Sequence, residues 1–179
     1  MRTEIVSGAE RRLAVEHWLL SAAEDIHRAR QDWRAEGVAL LRCGGVFGVV
    51  RISETIVRAA AGSEDTATVD RYLAGALLGG PVFMDQENLR YYVLVGTSTG
   101  RRPEWERACG DAEFMGSGHY LGVPALDATS PEARMYWCVP MDCPADLAPA
   151  PAVSQLVGNG RLQLARGEVP FGGRPDAQQ

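Results

Sequence analysis

The chain has 179 residues, 46% hydrophobic and 23% charged, and its 18 arginines, no lysines and 23 carboxylates leave a net charge of −5. That balance fits one globular domain and excludes a fibrous or largely disordered chain. The acidity argues against a general binder of nucleic-acid backbone, which displaces counterions with a basic surface.

No apolar run approaches the roughly 20 residues of a bilayer span, so no membrane partner is expected. The opening MRTEIVSGAERR has no apolar h-region, so no signal peptide is expected and the cytoplasm is the expected address. From Ala9 to Glu36 the apolar residues Val15, Trp18, Leu19, Ala22, Ile26, Ala29 and Trp33 keep helical spacing and place two tryptophans on one stripe. Ser21 and Glu24 form a capping-box pattern, which predicts two helices meeting near Ser21, the second ended by Gly37.

Val38 to Leu41 and Val46 to Ile52 read as strands, and Cys43-Gly44-Gly45 between them predicts a hairpin. Ser53 caps a short helix from Glu54 to Ala61 that Gly62 ends; Asp65 or Thr66 caps another, with Val69, Leu73 and Leu77 on one face. Pro81 to Asp85 and Arg90 to Val95 read as a second hairpin, with Tyr91, Val93 and Val95 on one face and Tyr92 and Leu94 on the other. The stretch from Gly96 to Gly118 is long for a structureless connection and predicts a functional loop or a short helix around Pro103 to Ala108. His119 to Val123 and Arg134 to Val139 are further strands, each stopped by proline, and Ala152 to Val157 is a short helix.

Helices and strands in separate blocks predict an α+β fold: a single domain over 1–158 with an N-terminal helical segment, helices packed on a mixed or mostly antiparallel sheet, and a mobile tail over 159–179. Within it GPVFMDQENLRYYVLV, DAEFMGSGHYLGVPA and RMYWCVP, with an EHWLL start and an FxxVRI strand, together resemble the bifunctional DNA primase/polymerase N-terminal domain of the archaeo-eukaryotic primase superfamily. They do so in the form found in short actinobacterial proteins. The resemblance covers about a third of the chain and implies a primase-like fold with an RRM-like sheet. It also implies two metal-binding carboxylates as Asp-x-Asp on one strand face, and no Asp-x-Asp exists in this sequence. Arg90 and Tyr91 stand where the family's phosphate-contacting His would open the aromatic strand. Only Glu113 matches a family carboxylate in type, so the resemblance implies a scaffold without polymerase chemistry.

Four acids, Glu104, Glu106, Asp111 and Glu113, lie within ten residues. Asp111 and Glu113 would share a strand face and are the weak candidates for Mg²⁺ or Mn²⁺ and, with His119, for catalysis. The plainer reading is a solvated acidic loop, and no cofactor is expected unless an enzyme survives. Cys138 and Cys143, with Cys109 and His119, could complete a tetrahedral zinc set; with no second CxxC and with Cys138 inside an apolar strand, a buried structural thiol, kept reduced, is expected instead. His17 and His27, ten residues apart, fall about 80° from a common helix face and form no pair.

Gly44-Gly45 and Gly116-x-Gly118 match neither phosphate-binding fingerprint. Arg101 and Arg102 after Thr97-Ser98-Thr99-Gly100 form the best local anion site, offering hydroxyls and guanidiniums within six residues, although an ordinary exposed loop has the same composition. The leading expectation is therefore a non-catalytic binding or regulatory module, with Thr97 to Arg102, Tyr91, Trp105 and His119 lining a cleft for a nucleotide or nucleic acid. The alternatives are a small acidic antagonist of a basic protein partner and a divergent nucleotidyl-transfer enzyme using Asp111 and Glu113.

Overall fold

The computed structural model describes residues 8–105 and 110–167. Two helices, α1 (Gly8–Leu20) and α2 (Ile26–Glu36), lead into β1 (Val38–Arg42) and β2 (Gly48–Ser53). Then follow α3 (Glu54–Ala61), α4 (Thr66–Ala76), β3 (Val82–Asp85), β4 (Arg90–Val95), two 3₁₀ turns (Thr97–Arg101 and Pro103–Trp105), β5 (Ala112–Met115), β6 (Tyr120–Pro124), β7 (Met135–Val139) and α5 (Ala150–Gly167). The α+β class and the N-terminal helical segment expected from the sequence are what the chain adopts.

Five strands form one antiparallel sheet in the order β5-β2-β4-β3-β7, and β1 and β6 form a separate antiparallel ribbon. β2 and β3 both run antiparallel to β4, which lies between them, so β2, α3, α4 and β3 make a split β-α-β unit. Counting β2, β3, β4 and β5 as first to fourth, the order is 4-1-3-2, with β7 added beyond β3. The second helix of such a unit normally joins its third and fourth strands. Here that connection holds the 3₁₀ turns, and α5, arriving after β7, packs on α3 instead.

The period-2 alternation of the sheet serves two cores. Tyr92 and Leu94, with Phe83 and Trp137, face α1, α2 and the inner side of the ribbon. Tyr91, Val93 and Val95 face α3, α4 and α5. Phe83 stacks on Tyr92 at 5.1 Å between centroids and meets Trp137 edge-on at 5.2 Å. The N-terminal stripe buries Val15, Leu19, Ala22, Ala29 and Trp33, and the Trp33 indole N–H donates to the Val123 carbonyl at 2.9 Å, tying α2 to the ribbon.

Four expectations need correction. β1 and β2 are not a hairpin: β1 pairs with β6, and β2 pairs with β4 and β5. The physical reason lies in their burial. β2 is apolar and buried on both faces and takes a central place, whereas β1 alternates buried and exposed residues and suits a ribbon with one open face. Ser21 does not cap α2; its hydroxyl donates back to the Trp18 carbonyl, and Asp25 accepts the Arg28 N–H as the cap. The Gly96–Gly118 stretch contains a strand, β5, rather than only loop and helix. Finally, α5 continues to Gly167 with Gly160 buried, so 159–167 belong to the packed unit; the rest of the expected tail lies outside the described residues.

Candidate functional site

Because β2 runs against both β4 and β5, its first residues lie beside the last residues of its neighbours: Gly48 opposite Val95, and Val49 opposite Met115. Three connections therefore meet at one end of the sheet, the turn before β2, the 3₁₀ turn after β4 and the turn after β5. Between them is an open cleft of about 510 Å³, to which Thr97, Ser98, Arg101, Gly44, Gly116 and Ser117 contribute, with the Phe114 ring in its lining.

Close approach is what builds this cleft. A β-carbon at Gly48 or Gly116 would lie 2.6 Å from the Phe114 ring, and one at Gly100 would lie 2.5 Å from its Cδ1. Three chain segments thus pack directly against one phenyl ring, which only a residue without a side chain permits. Gly44, at φ +93°, lies against Ser117; a β-carbon there would sit 2.5 Å from the Ser117 Oγ. Thr97, Ser98 and Ser117 share the lining with Arg101, its one charged residue, which has no ion pair among the described residues.

Thr97, Ser98 and Arg101 are thus brought together as the sequence suggested. Other candidates are not. Thr99 is buried, and Arg102 is bound to Glu104 at 2.6 Å. Tyr91 lies in the core beneath α3 and α4, where burial raises its phenol well above the usual range, and Trp105 is buried in the same core. His119 stays exposed at the cleft's border, held by its backbone N–H and its ring Nδ1 to the Gly116 carbonyl.

The acidic candidates are each held by an arginine. Asp111 precedes β5 and receives two hydrogen bonds from Arg161 of α5, at 2.8 and 2.7 Å, which keep its carboxyl below the usual range. Glu113 pairs with Arg51 of β2 at 2.7 Å. The expected shared face is lost because Asp111 lies outside the strand and is drawn to a helix, while Glu113 is drawn across the sheet. Glu104 is pulled down to about 2 by Arg102, with help from the Ser154 hydroxyl at 2.9 Å. Among the described residues no three His, Cys, Asp or Glu side chains gather as a metal site; Glu106 and Cys109 lie outside them.

Among the described residues Cys138 and Cys143 belong to no group of three metal-ligating side chains. The Tyr136 hydroxyl donates to Asp70 of α4 at 3.3 Å, and burial pushes the Cys138 thiol far up, whereas Cys143 is exposed. His17 and His27 are exposed on different helices.

Comparison of the chain with family models, with curated proteins and with solved structures finds no match. The residues that sequence reasoning left out of the cleft are Gly44, Phe114, Gly116 and Ser117. In sequence these glycines read as turns that fit no phosphate fingerprint; the approach of Gly44 to Ser117 is a non-local contact that chain order does not carry.

Proposed function

We propose that this chain is a binding or regulatory module that holds the phosphate of a nucleotide or nucleic acid in the cleft of Thr97, Ser98, Arg101 and Ser117, on a primase-like scaffold without polymerase chemistry. The observation that carries this reading is Arg101, without an ion pair among the described residues, in one lining with Thr97, Ser98, Ser117 and close-packed glycine backbone, a cationic donor set within an acidic chain. Its volume is that of an ordinary small-ligand site, about 300–1,000 Å³.

Two further observations support it. The 4-1-3-2 strand order is the one the primase resemblance implies. Asp111 and Glu113, the acids that a nucleotidyl-transfer enzyme would turn toward divalent ions, are instead engaged by Arg161 and Arg51.

The test is calorimetric titration with a nucleoside triphosphate at low salt, with and without Mn²⁺. Binding is expected in both conditions, lost in Arg101→Ala and retained in Glu113→Ala. Binding that requires Mn²⁺ and disappears in Glu113→Ala, while Arg101→Ala is neutral, would favour the enzyme reading instead. Single-stranded DNA at physiological salt is expected to bind weakly, since the net charge of −5 opposes an extended phosphate track.

A further inference from the structure

Among the described residues nothing covers Leu40 and Tyr120 on the outer face of the β1–β6 ribbon. Its inner residues Ala39, Leu41, Leu121 and Val123 are buried, while Leu40 is 59% and Tyr120 44% exposed. Exposed residues of α2, which packs on the ribbon's inner side, share with Leu40 the lining of a groove of about 580 Å³, continued by a second depression of about 370 Å³ that shares Arg28, Asp32 and Leu40.

The helical wall of the groove is acidic. Asp25, Arg28, Asp32 and Glu36, spaced three, four and four residues apart, form one stripe with three carboxylates to one guanidinium. Asp25 is committed as the cap of α2, and Glu24 beside it holds the Tyr120 hydroxyl and approaches Arg42 at 3.9 Å. On the far wall Arg134 is taken by Glu87 at 2.8 Å. Asp32 and Glu36 have neither ion pair nor hydrogen bond to any described side chain, so two carboxylates without a partner there share the groove with the exposed Leu40 and with Arg28.

The ribbon's hydrogen bonding adds a direction. Cys43 donates to the His119 carbonyl and Ala125 to the Gly37 carbonyl, which places the odd-numbered residues of β1 in the bonded pairs. The main-chain N–H and C=O of Leu40 therefore turn away from β6.

We infer that this groove docks an extended basic segment of a protein partner, with two cationic residues flanking an aliphatic one. The spacing supports an extended occupant. Asp32 and Glu36 are separated by about 6 Å of helix rise, and alternate residues of an extended chain project on one side about 6.6–6.8 Å apart. Cations at alternate positions thus reach both carboxylates, and the residue between them turns toward Leu40. Charge complementarity selects the partner, as a basic groove would select an acidic one.

The test uses a fluorescein-labelled peptide, Gly-Ser-Arg-Val-Arg-Val-Ser-Gly, and anisotropy at 50 and 300 mM NaCl. Binding is expected to weaken at high salt, at least tenfold in the Asp32→Asn/Glu36→Gln double variant and at least fivefold in Leu40→Ser. A peptide with glutamate for arginine should not bind. These substitutions are on the surface, and matched melting curves would show that the fold is kept. Asp146→Asn, an exposed acid outside the groove, and Arg101→Ala should leave peptide affinity unchanged, which separates this surface from the phosphate cleft. Equal binding by the double variant, or by a peptide with glycine in place of valine, would overturn the inference. So would sedimentation showing a dimer that Leu40→Ser dissolves, because a second copy of the chain would then occupy the groove.

Discussion

Replacing Gly160 with alanine should destabilise the protein although the residue sits in a helix that alanine favours. A β-carbon at Gly160 would fall on the Ile56 carbonyl oxygen and 2.8 Å from Ile56 Cγ2, at the crossing of α5 over α3. Carbon–oxygen contacts normally settle near 3.3–3.6 Å, so the two helices must part by about 1 Å. The obstacle is backbone, which cannot swing aside as a side-chain tip can. Overpacking of this kind costs about 3 kcal/mol, and the better helix propensity of alanine returns about 1 kcal/mol, leaving a net loss of about 2 kcal/mol. For a domain of this size the melting temperature should fall by roughly 4–8 °C. Gly158, exposed in the same helix with nothing within 4 Å of an added β-carbon, is the internal control. Gly158→Ala should raise stability by up to about 1 kcal/mol. Urea unfolding followed by circular dichroism, with equal m-values, reads both changes. If Gly160→Ala proved as stable as Gly158→Ala, the close crossing of α3 and α5 would be wrong, and with it the inclusion of residues 159–167 in the packed unit.

Other outcomes follow from particular contacts. Trp33→Phe removes the buried donor to the Val123 carbonyl and should cost about 1–2 kcal/mol by urea unfolding, whereas an unchanged midpoint would mean that water replaces the indole without loss. Burial raises the Asp70 carboxyl above its ordinary value near 3.8. The unfolded chain therefore releases that proton first as pH rises, and the folded state loses stability from about pH 3.8 up to the raised value. Asp70→Asn, which still accepts from Tyr136, should gain on the parent chain between pH 4 and pH 7, and a difference that is flat with pH would refute this. Thiol alkylation at pH 8 followed by peptide mapping should label Cys143 quickly and spare Cys43, whose thiol burial pushes up to about 11, until the chain unfolds; prompt labelling of Cys43 in the folded protein would contradict its burial.

Where a fold signal was local, the sequence carried it. Ser53 and Asp65 cap α3 and α4, Gly37 ends α2 in the left-handed conformation, and the β3–β4 hairpin sorts its residues onto two faces as alternation requires. Non-local pairing was less legible. Ala112–Met115 is only four residues long and includes a glutamate, so its apolar pattern alone does not set its bounds; pairing with β2 does. Gly158 and Gly160 looked like the end of a helix, because a glycine chosen for contact with another backbone is indistinguishable in sequence from one chosen to break a turn. The site divides the same way: Thr97, Ser98 and Arg101 are neighbours in the chain and were found together, whereas Gly44 and Ser117 meet only through the ends of β2 and β5. Tyr91 and Trp105 were drawn into the expected cleft by their chemistry, and strand parity and burial put them beneath the helices instead.

The phenyl ring at position 114 acts as a spacer shared by three backbones, so the dimensions of the cleft are governed from below rather than by its polar rim. Shrinking that ring to leucine would open a void under Gly48, Gly100 and Gly116 together, and enlarging any one of the three would push the ring against the other two. The width of the cleft is consequently set by four positions together, whereas Arg101, which has no such dependents, can be exchanged singly to alter the charge of its lining.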